Sequence, residues 1–346
     1  MPKRERPPSW KRERRASPAA SSIDETIPGN DVTPSDRKIW IDGTLVPWAE
    51  ATIHVLSHAP QRGALVFDYM SVHPTPSGLA VFRMTAHLER FVRSCELLGL
   101  PLRLTLAELA EAVRETVRAN PGSTSVKISA YIPSIEVELV PQDDHVAVAV
   151  AAYDFVEDII KRNPGHFHSR TEIRLHIDTE RRSRPHLSPQ AKASAGYGLL
   201  LAAKWQARRD GYDEILLIDE DGYLAETPTT NLFLVDTGGT LRTPPSEGVL
   251  HGVTRVSILE LASTEGIEAV ECRLRPEDLM TAAEVFLAAT TAGAWPVISV
   301  DGRSIGDGVP GPTTLHLRKR LRAIASGEDP DYLHWLDLVD PRVVDG

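Results

Sequence analysis

The chain has 346 residues, 42% hydrophobic and 25% charged, enough to bury a sizeable core in two modest domains or one large one. No apolar run approaches the roughly 20 residues a membrane helix needs. The two cysteines, Cys95 and Cys272, have no metal-type spacing and argue against a disulfide framework, so a reducing, cytoplasmic setting is the default.

The formal charge of -10 is uneven. Residues 1–22 hold seven Lys and Arg against two Glu, a net +5, which leaves -15 for the rest. An acidic body argues against nucleic acid as the main partner. Residues 1–35 are rich in Pro, Ser, Arg and Lys without periodicity and read as a disordered basic tail. The tail reads as a solvated extension or a mis-assigned start, with a targeting or nucleic-acid arm as the alternative. It lacks the apolar stretch of a secretory signal.

Order is expected from "KIWIDGTLVPW" (38–48), two strands about an Asp42-Gly43 turn. "ALVFDYMSVH" (64–73) and "LAVFRM" (79–84) read as further strands. The apolar positions of 85–100 (Leu88, Phe91, Val92, Cys95, Leu98) predict a helix with Thr85 as its N-cap, and 105–120 predicts a second from Thr105. Strands follow at 125–133 and 145–155.

The Pro- and Arg-rich stretch 161–190, with one strand-like run at 172–177, reads as an interdomain segment. It divides a small N-terminal domain (36–160) from a C-terminal domain (191–346). The second half predicts a helix at 196–211, a run of strands over 214–245, a capped helix at 254–266, a strand at 284–291 and a last helix at 313–327 stopped by Gly327. Helices and strands mix without strict alternation, which predicts an α+β fold.

No single motif here decides a chemistry. A lysine near a helix start is ordinarily surface charge, "HxxR" on a helix ordinarily solvated, and a glycine before "VTR" ordinarily a turn. Their order carries the information. "HVLSHAPQRGALVFD" (54–68), "VFRMTAHLERF" (81–91), "PQAKASAGYGLLLAAK" (189–204), "GYLAETPTTNLFLV" (222–235), "GVLHGVTR" (248–255), "EVFLAATTAGAWPVISVDG" (284–302) and "HWLDLV" (334–339) succeed one another. In that order the sequence resembles the fold-type IV pyridoxal-phosphate enzymes, and most closely the branched-chain aminotransferases, over roughly residues 38–340.

The resemblance implies a two-domain α+β enzyme whose larger C-terminal domain, with a mixed sheet or barrel-like core, binds pyridoxal 5'-phosphate. It implies a homodimer that exchanges an amino group between an apolar amino acid or amine and a keto acid such as 2-oxoglutarate or pyruvate. Lys192 would carry the cofactor as a Schiff base and shuttle the substrate proton. Tyr197 would serve the ring hydroxyl, and Glu226, with Asn231, the ring nitrogen. Gly252, Val253 and Thr254 at a helix start, Thr290 and Thr291, and the forked donors of Arg90 would hold the phosphate. Arg255 is expected to be structural. Phe67, Tyr69, Tyr131, Arg62 and Ala292 would line the substrate pocket.

The substrate half departs from the family. The arginine of "AY-x-R" is replaced by Pro133 in "AYIPSIEVE" (130–138), and proline offers neither charge nor an N–H. The family's "EGIR" reads "DYMS" (68–71), so Tyr69 replaces a glycine. Arg62 is either structural or a replacement carboxylate anchor. Arg181, Arg182 and Arg184 are either further anchors or a solvated loop. The pocket segment is also similar to that of R-selective amine transaminases. A lyase resembling aminodeoxychorismate lyase and a non-catalytic dimeric scaffold are the competing readings.

Overall fold

The structure is a computed structural model that describes residues 36–161, 171–180 and 187–340. The basic tail, Arg181, Arg182 and Arg184 lie outside the described residues, as does much of the expected interdomain segment.

The first half begins with the hairpin β1 (Lys38–Ile41) and β2 (Thr44–Pro47). The turn lies at Asp42 and Gly43, both at positive φ, as a two-residue Asp-Gly hairpin requires. A short helix α1 (His58–Arg62) leads into the long β3 (Leu65–Thr75) and then β4 (Gly78–Phe82). Two helices, α2 (Met84–Leu98) and α3 (Leu106–Ala119), precede β5 (Ser125–Tyr131) and β6 (Ala147–Tyr153).

The second half holds β7 (Ile173–Asp178), α4 (Ser194–Gly198), α5 (Leu201–Arg209) and β8 (Glu214–Leu217). It continues with β9 (Asn231–Val235), β10 (Leu241–Thr243), α6 (Val253–Thr264), β11 (Ala269–Glu271) and α7 (Pro276–Thr281). The chain closes with β12 (Glu284–Ala289), β13 (Gly293–Val300), β14 (Arg303–Ser304), α8 (Pro312–Ala325) and β15 (Leu336–Leu338).

The strands form two sheets. One is antiparallel, in the order β15-β4-β3-β5-β6-β1-β2. The other is mixed, in the order β11-β10-β9-β12-β13-β7-β8, with β14 paired to β13. The α+β reading therefore holds, with a mixed sheet in the second half.

Alternation along β3 organises the first sheet. Val66, Asp68, Met70 and Val72 are buried on one face, where Leu88, Phe91 and Cys95 of α2 and Leu109, Val113 and Val117 of α3 complete a core. Burying each large side chain there contributes on the order of 1.5–3 kcal/mol. Phe67, Tyr69, Ser71 and His73 point the other way, where the cavities lie. In the second sheet β9 and β12 are buried on both faces. Phe233 and Phe286 pack toward α6 and α8, while Leu232, Leu234, Val285 and Leu287 pack toward the opposite core.

Three local expectations are corrected. Thr85 is not the N-cap of α2. The helix starts from Arg83 at φ 52, whose N–H is fixed to the Trp335 carbonyl at 2.7 Å, and Thr85 bonds Asp337 instead. The helix expected over 196–211 is two helices broken at Leu199–Leu200. Gly196 and Gly198 weaken the first segment, and burial of Leu200 beside exposed Leu199 leaves no continuous apolar face. The helix at 254 also lacks a side-chain cap, since its N-cap is Gly252. Thr105, by contrast, caps α3 in a full capping box with Glu108.

Candidate active site

The segment bearing Lys192 is pinned from both sides. Its N–H donates to Ser94 Oγ of α2 at 3.1 Å, and its carbonyl accepts from Phe67 N–H of β3 at 3.1 Å. Ala193 forms a bridge with Val66. The side chain enters a cavity of about 330 Å³ lined by Phe67, Tyr69, Arg90, Lys127, Tyr153, Phe155, Thr229–Asn231, Leu250, Gly252–Thr254, Ala288–Thr291 and Trp295. That volume is at the lower end of the roughly 300–1,000 Å³ usual for small-molecule sites. A small lobe behind it adds Tyr197 and Glu226.

The Lys192 amine donates to Tyr197 Oη at 3.1 Å, and Tyr197 packs against Phe67 with ring centroids 5.2 Å apart. Burial of the amine, with the Arg90 charge acting the same way, pushes the Lys192 pKa down to about 8 against the opposing pull of Asp68 and Glu226. A lysine so tuned holds an appreciable free-base fraction near neutral pH, which a nucleophilic or proton-shuttling amine needs.

Glu226 sits before β9, where Thr227 and Thr230 close a tight turn. Its Oε2 accepts from Asn231 Nδ2 at 3.2 Å and from Leu250 N–H at 3.1 Å. Asn231 also donates to the Leu250 carbonyl. This fixes a carboxylate at the lobe wall beside the cavity mouth of α6. There Gly252, Val253 and Thr254 present a helix start, the arrangement that favours anions. Arg255 points away, to the Pro244 carbonyl at 2.8 Å and to Glu271, and braces the helix start.

Arg90 lines the cavity, but its fork faces Asp68. Nε donates to Oδ2 at 2.8 Å and one terminal nitrogen to Oδ1 at 2.7 Å, while the other terminal nitrogen donates to the His251 carbonyl at 3.0 Å. Burial alone would raise the Asp68 pKa, but the Arg90 and His87 charges hold it well below the usual carboxylate range. His87, equally buried, is pushed down by desolvation despite Asp68.

The expected substrate residues divide. Phe67 and Tyr69 line the main cavity, and Tyr69 Oη is tied to Ser125 Oγ at 2.5 Å. Ala292 lines an adjacent cavity of about 300 Å³ that shares Thr254, Thr290 and Thr291. Tyr131 lines neither and is buried beside Ala59 and Ala147. Arg62 lines neither and reaches the Gln61 and Val137 carbonyls. Sequence reasoning missed the Asp68–His87 pair, Ser94 behind Lys192, and Lys127, Tyr153 and Trp295 in the wall. Strand alternation from Phe67 and Tyr131 was the available signal for Lys127.

Comparison with known proteins decides the family. The amino-transferase class IV family matches residues 65–300. The chain belongs to the class IV aminotransferases. It is 34% identical over 309 residues to the branched-chain-amino-acid aminotransferase of Escherichia coli, covering 87% of this chain and 97% of that one. It is 32% identical over 310 residues to that of Pseudomonas aeruginosa, covering 88% and 98%. Among solved structures, the T.th. branched-chain amino acid aminotransferase with pyridoxamine 5'-phosphate superposes with a TM-score of 0.80 at 33% identity, covering 88% of this chain and 99% of that one. This class IV aminotransferase is a pyridoxal-phosphate-dependent transaminase. The lyase alternative gains no comparable support.

The donor set fits the cofactor. An amine of lowered pKa, a phenol beside it, a fixed carboxylate and a helix start supply the partners that an aldehyde, a ring oxygen, a ring nitrogen and a phosphate require.

Proposed function

We propose that this class IV aminotransferase moves the amino group of an apolar, branched-chain-like amino acid to a keto acid such as 2-oxoglutarate or pyruvate, with Lys192 as its catalytic base. The carrying observation is the Lys192 amine, its pKa lowered to about 8, set 3.1 Å from Tyr197 Oη at the wall of the cavity. The bound cofactor supplies the electron sink for the substrate's carbon–hydrogen bond. Lys192 then carries the proton to and from the substrate α-carbon, and Tyr197 orients the amine. Glu226, fixed by Asn231 and Leu250 N–H, would keep the ring nitrogen protonated. Gly252–Thr254, Thr290, Thr291 and Arg90 would hold the phosphate. Phe67, Tyr69, Trp295 and Tyr153 make an aromatic wall that suits an apolar side chain.

The relatives are branched-chain-amino-acid aminotransferases by name, which supports that substrate class. The same reading takes the first sheet with α2 and α3 as a small domain, the second sheet as the cofactor domain, and a cytoplasmic homodimer as the working state. No helix among the described residues is long and apolar enough to cross a membrane. The test is the first half-reaction. Holoenzyme given L-leucine without acceptor should convert its bound cofactor to pyridoxamine phosphate and release the matching keto acid. Release of pyruvate from an aminodeoxychorismate-type substrate, with no amine transfer, would overturn the reading.

A further inference from the structure

The cavity holds a cation that neither the family motifs nor the proposed chemistry uses. Three cationic side chains line it: Arg90, Lys192 and Lys127. Arg90 is bound bidentately to Asp68, and Lys192 is the reacting amine. Lys127 has no carboxylate paired to it among the described residues.

Its placement follows from strand register. Lys127 of β5 lies opposite Tyr69 of β3 and Ala151 of β6, with Phe67 opposite Ser129 and Ser71 opposite Ser125. This sheet face therefore carries aromatic side chains on β3 and small ones around Lys127: Ser125, Ser129, Ala149 and Ala151. Tyr69 is held aside by its hydrogen bond to Ser125. The small neighbours leave room for the lysine to extend across the Phe67 ring, with Nζ 4.6 Å from the ring centroid. Lys192 Nζ is 5.2 Å from the same centroid. The two amines thus lie within about 10 Å of each other, a range over which charges in a protein still interact. Desolvation lowers the Lys127 pKa and the Lys192 charge lowers it further. An anion between them would relieve both.

The chain also lacks the family's usual anchor. Pro133 cannot bind a carboxylate, and Arg62 is turned to the Val137 carbonyl outside the cavity. We propose that Lys127 is the residue that holds a substrate carboxylate in this cavity, doing from the centre of β5 what the missing arginine of "AY-x-R" does from its end. This is a specificity role resting on the transaminase reading of the cavity. It places Lys127 against the non-reacting end of an amino acid whose nitrogen faces Lys192.

The test is calorimetric binding of unreactive probes to holoenzyme: 4-methylvalerate, its neutral amide, and glutarate. Lys127→Met should weaken 4-methylvalerate about tenfold and leave the amide unchanged, and Lys127→Arg should restore the acid. Weakening of glutarate alone would still place a carboxylate on Lys127, the distal one of a dicarboxylic partner. Unchanged binding of both acids in Lys127→Met overturns the proposal. So does equal weakening of the amide, which would make Lys127 a wall residue only, and so does a wild-type protein that binds neither acid. Failure of the transaminase reading would show elsewhere, as a cofactor spectrum that L-leucine does not change.

Discussion

Asp68 and Arg90 face each other as a two-pronged ion pair, with Asp68 fully buried and its two oxygens 2.7 and 2.8 Å from the guanidinium. The pair ties β3 to α2 and turns Arg90 toward the His251 carbonyl at the mouth of α6. Asp68→Asn leaves the largely buried Arg90 guanidinium without its counter-charge. Breaking such a pair costs about 3–5 kcal/mol, measurable by chemical denaturation, and cofactor affinity should fall with it. The pH sign follows from the lowered Asp68 pKa. Its stabilisation is present above the ordinary carboxylate value near pH 4 and is lost as pH falls toward the folded value. The wild type should therefore lose stability more steeply on the acid side than Asp68→Asn. Parallel curves would remove the pair from the account.

How much of this was legible follows from where each constraint acts. Lys192, Tyr197, Glu226 and Gly252 are each ordinary residues in isolation; their order along the chain marked them, and the fold brings them to the walls of the cavity and its small lobe. The Asp42-Gly43 hairpin and the Thr105 cap are local and were readable directly. Thr85 misled because the start of α2 is set by Trp335, some 250 residues away, and a distant backbone acceptor leaves no local trace. Arg90 was readable as a site cation, but its partner Asp68 needed the pairing of β3 with α2. Lys127 was within reach of alternation from Tyr131 along β5, but placing it beside Phe67 needed the register that pairs it with Tyr69.

A Cβ on Gly252 would overlap Asn231 Oδ1, so the glycine is required by Asn231 irrespective of any phosphate. Gly252→Ala must push Asn231 from Glu226 and from the Leu250 carbonyl. Overpacking of this kind costs about 1–3 kcal/mol. The expected readout is weaker cofactor retention on dialysis at little change in helix content. Full retention would show that Asn231 can yield without disturbing Glu226.

Glu284 caps α8 from outside the helix. Its carboxylate accepts from Thr313 N–H at 2.9 Å and from Thr314 N–H at 2.8 Å, and also from the Thr314 hydroxyl. Gly311 is pressed against it, since a Cβ there would overlap the carboxyl carbon. Because a charged acceptor at a helix N-terminus is worth more than a neutral one, Glu284→Gln should lower stability by about 1–3 kcal/mol. Activity per folded molecule should stay near wild type, as Glu284 does not line the cavity. A change in donor preference instead would tie α8 to the substrate.

The lowered pKa of Lys192 predicts a pH dependence for the cofactor-free protein. With the folded value at about 8 and the unfolded value near 10.4, the folded chain has released the proton between these limits while the unfolded chain still holds it. Stability from this group therefore rises with pH across that window, the sign expected when the unfolded state binds more protons. Reactivity follows the same titration, because only the free base attacks an aldehyde. Labelling of Lys192 by pyridoxal phosphate and borohydride, read by peptide mass spectrometry, should rise with a midpoint at about pH 8 and level above it. Lysines exposed to solvent, with ordinary values of about 10.4, should still be gaining reactivity above that plateau. Removal of the Arg90 charge in Arg90→Met should move the Lys192 midpoint upward, since that charge is the largest opposing one. A Lys192 profile that tracks the exposed lysines would contradict a buried, activated amine.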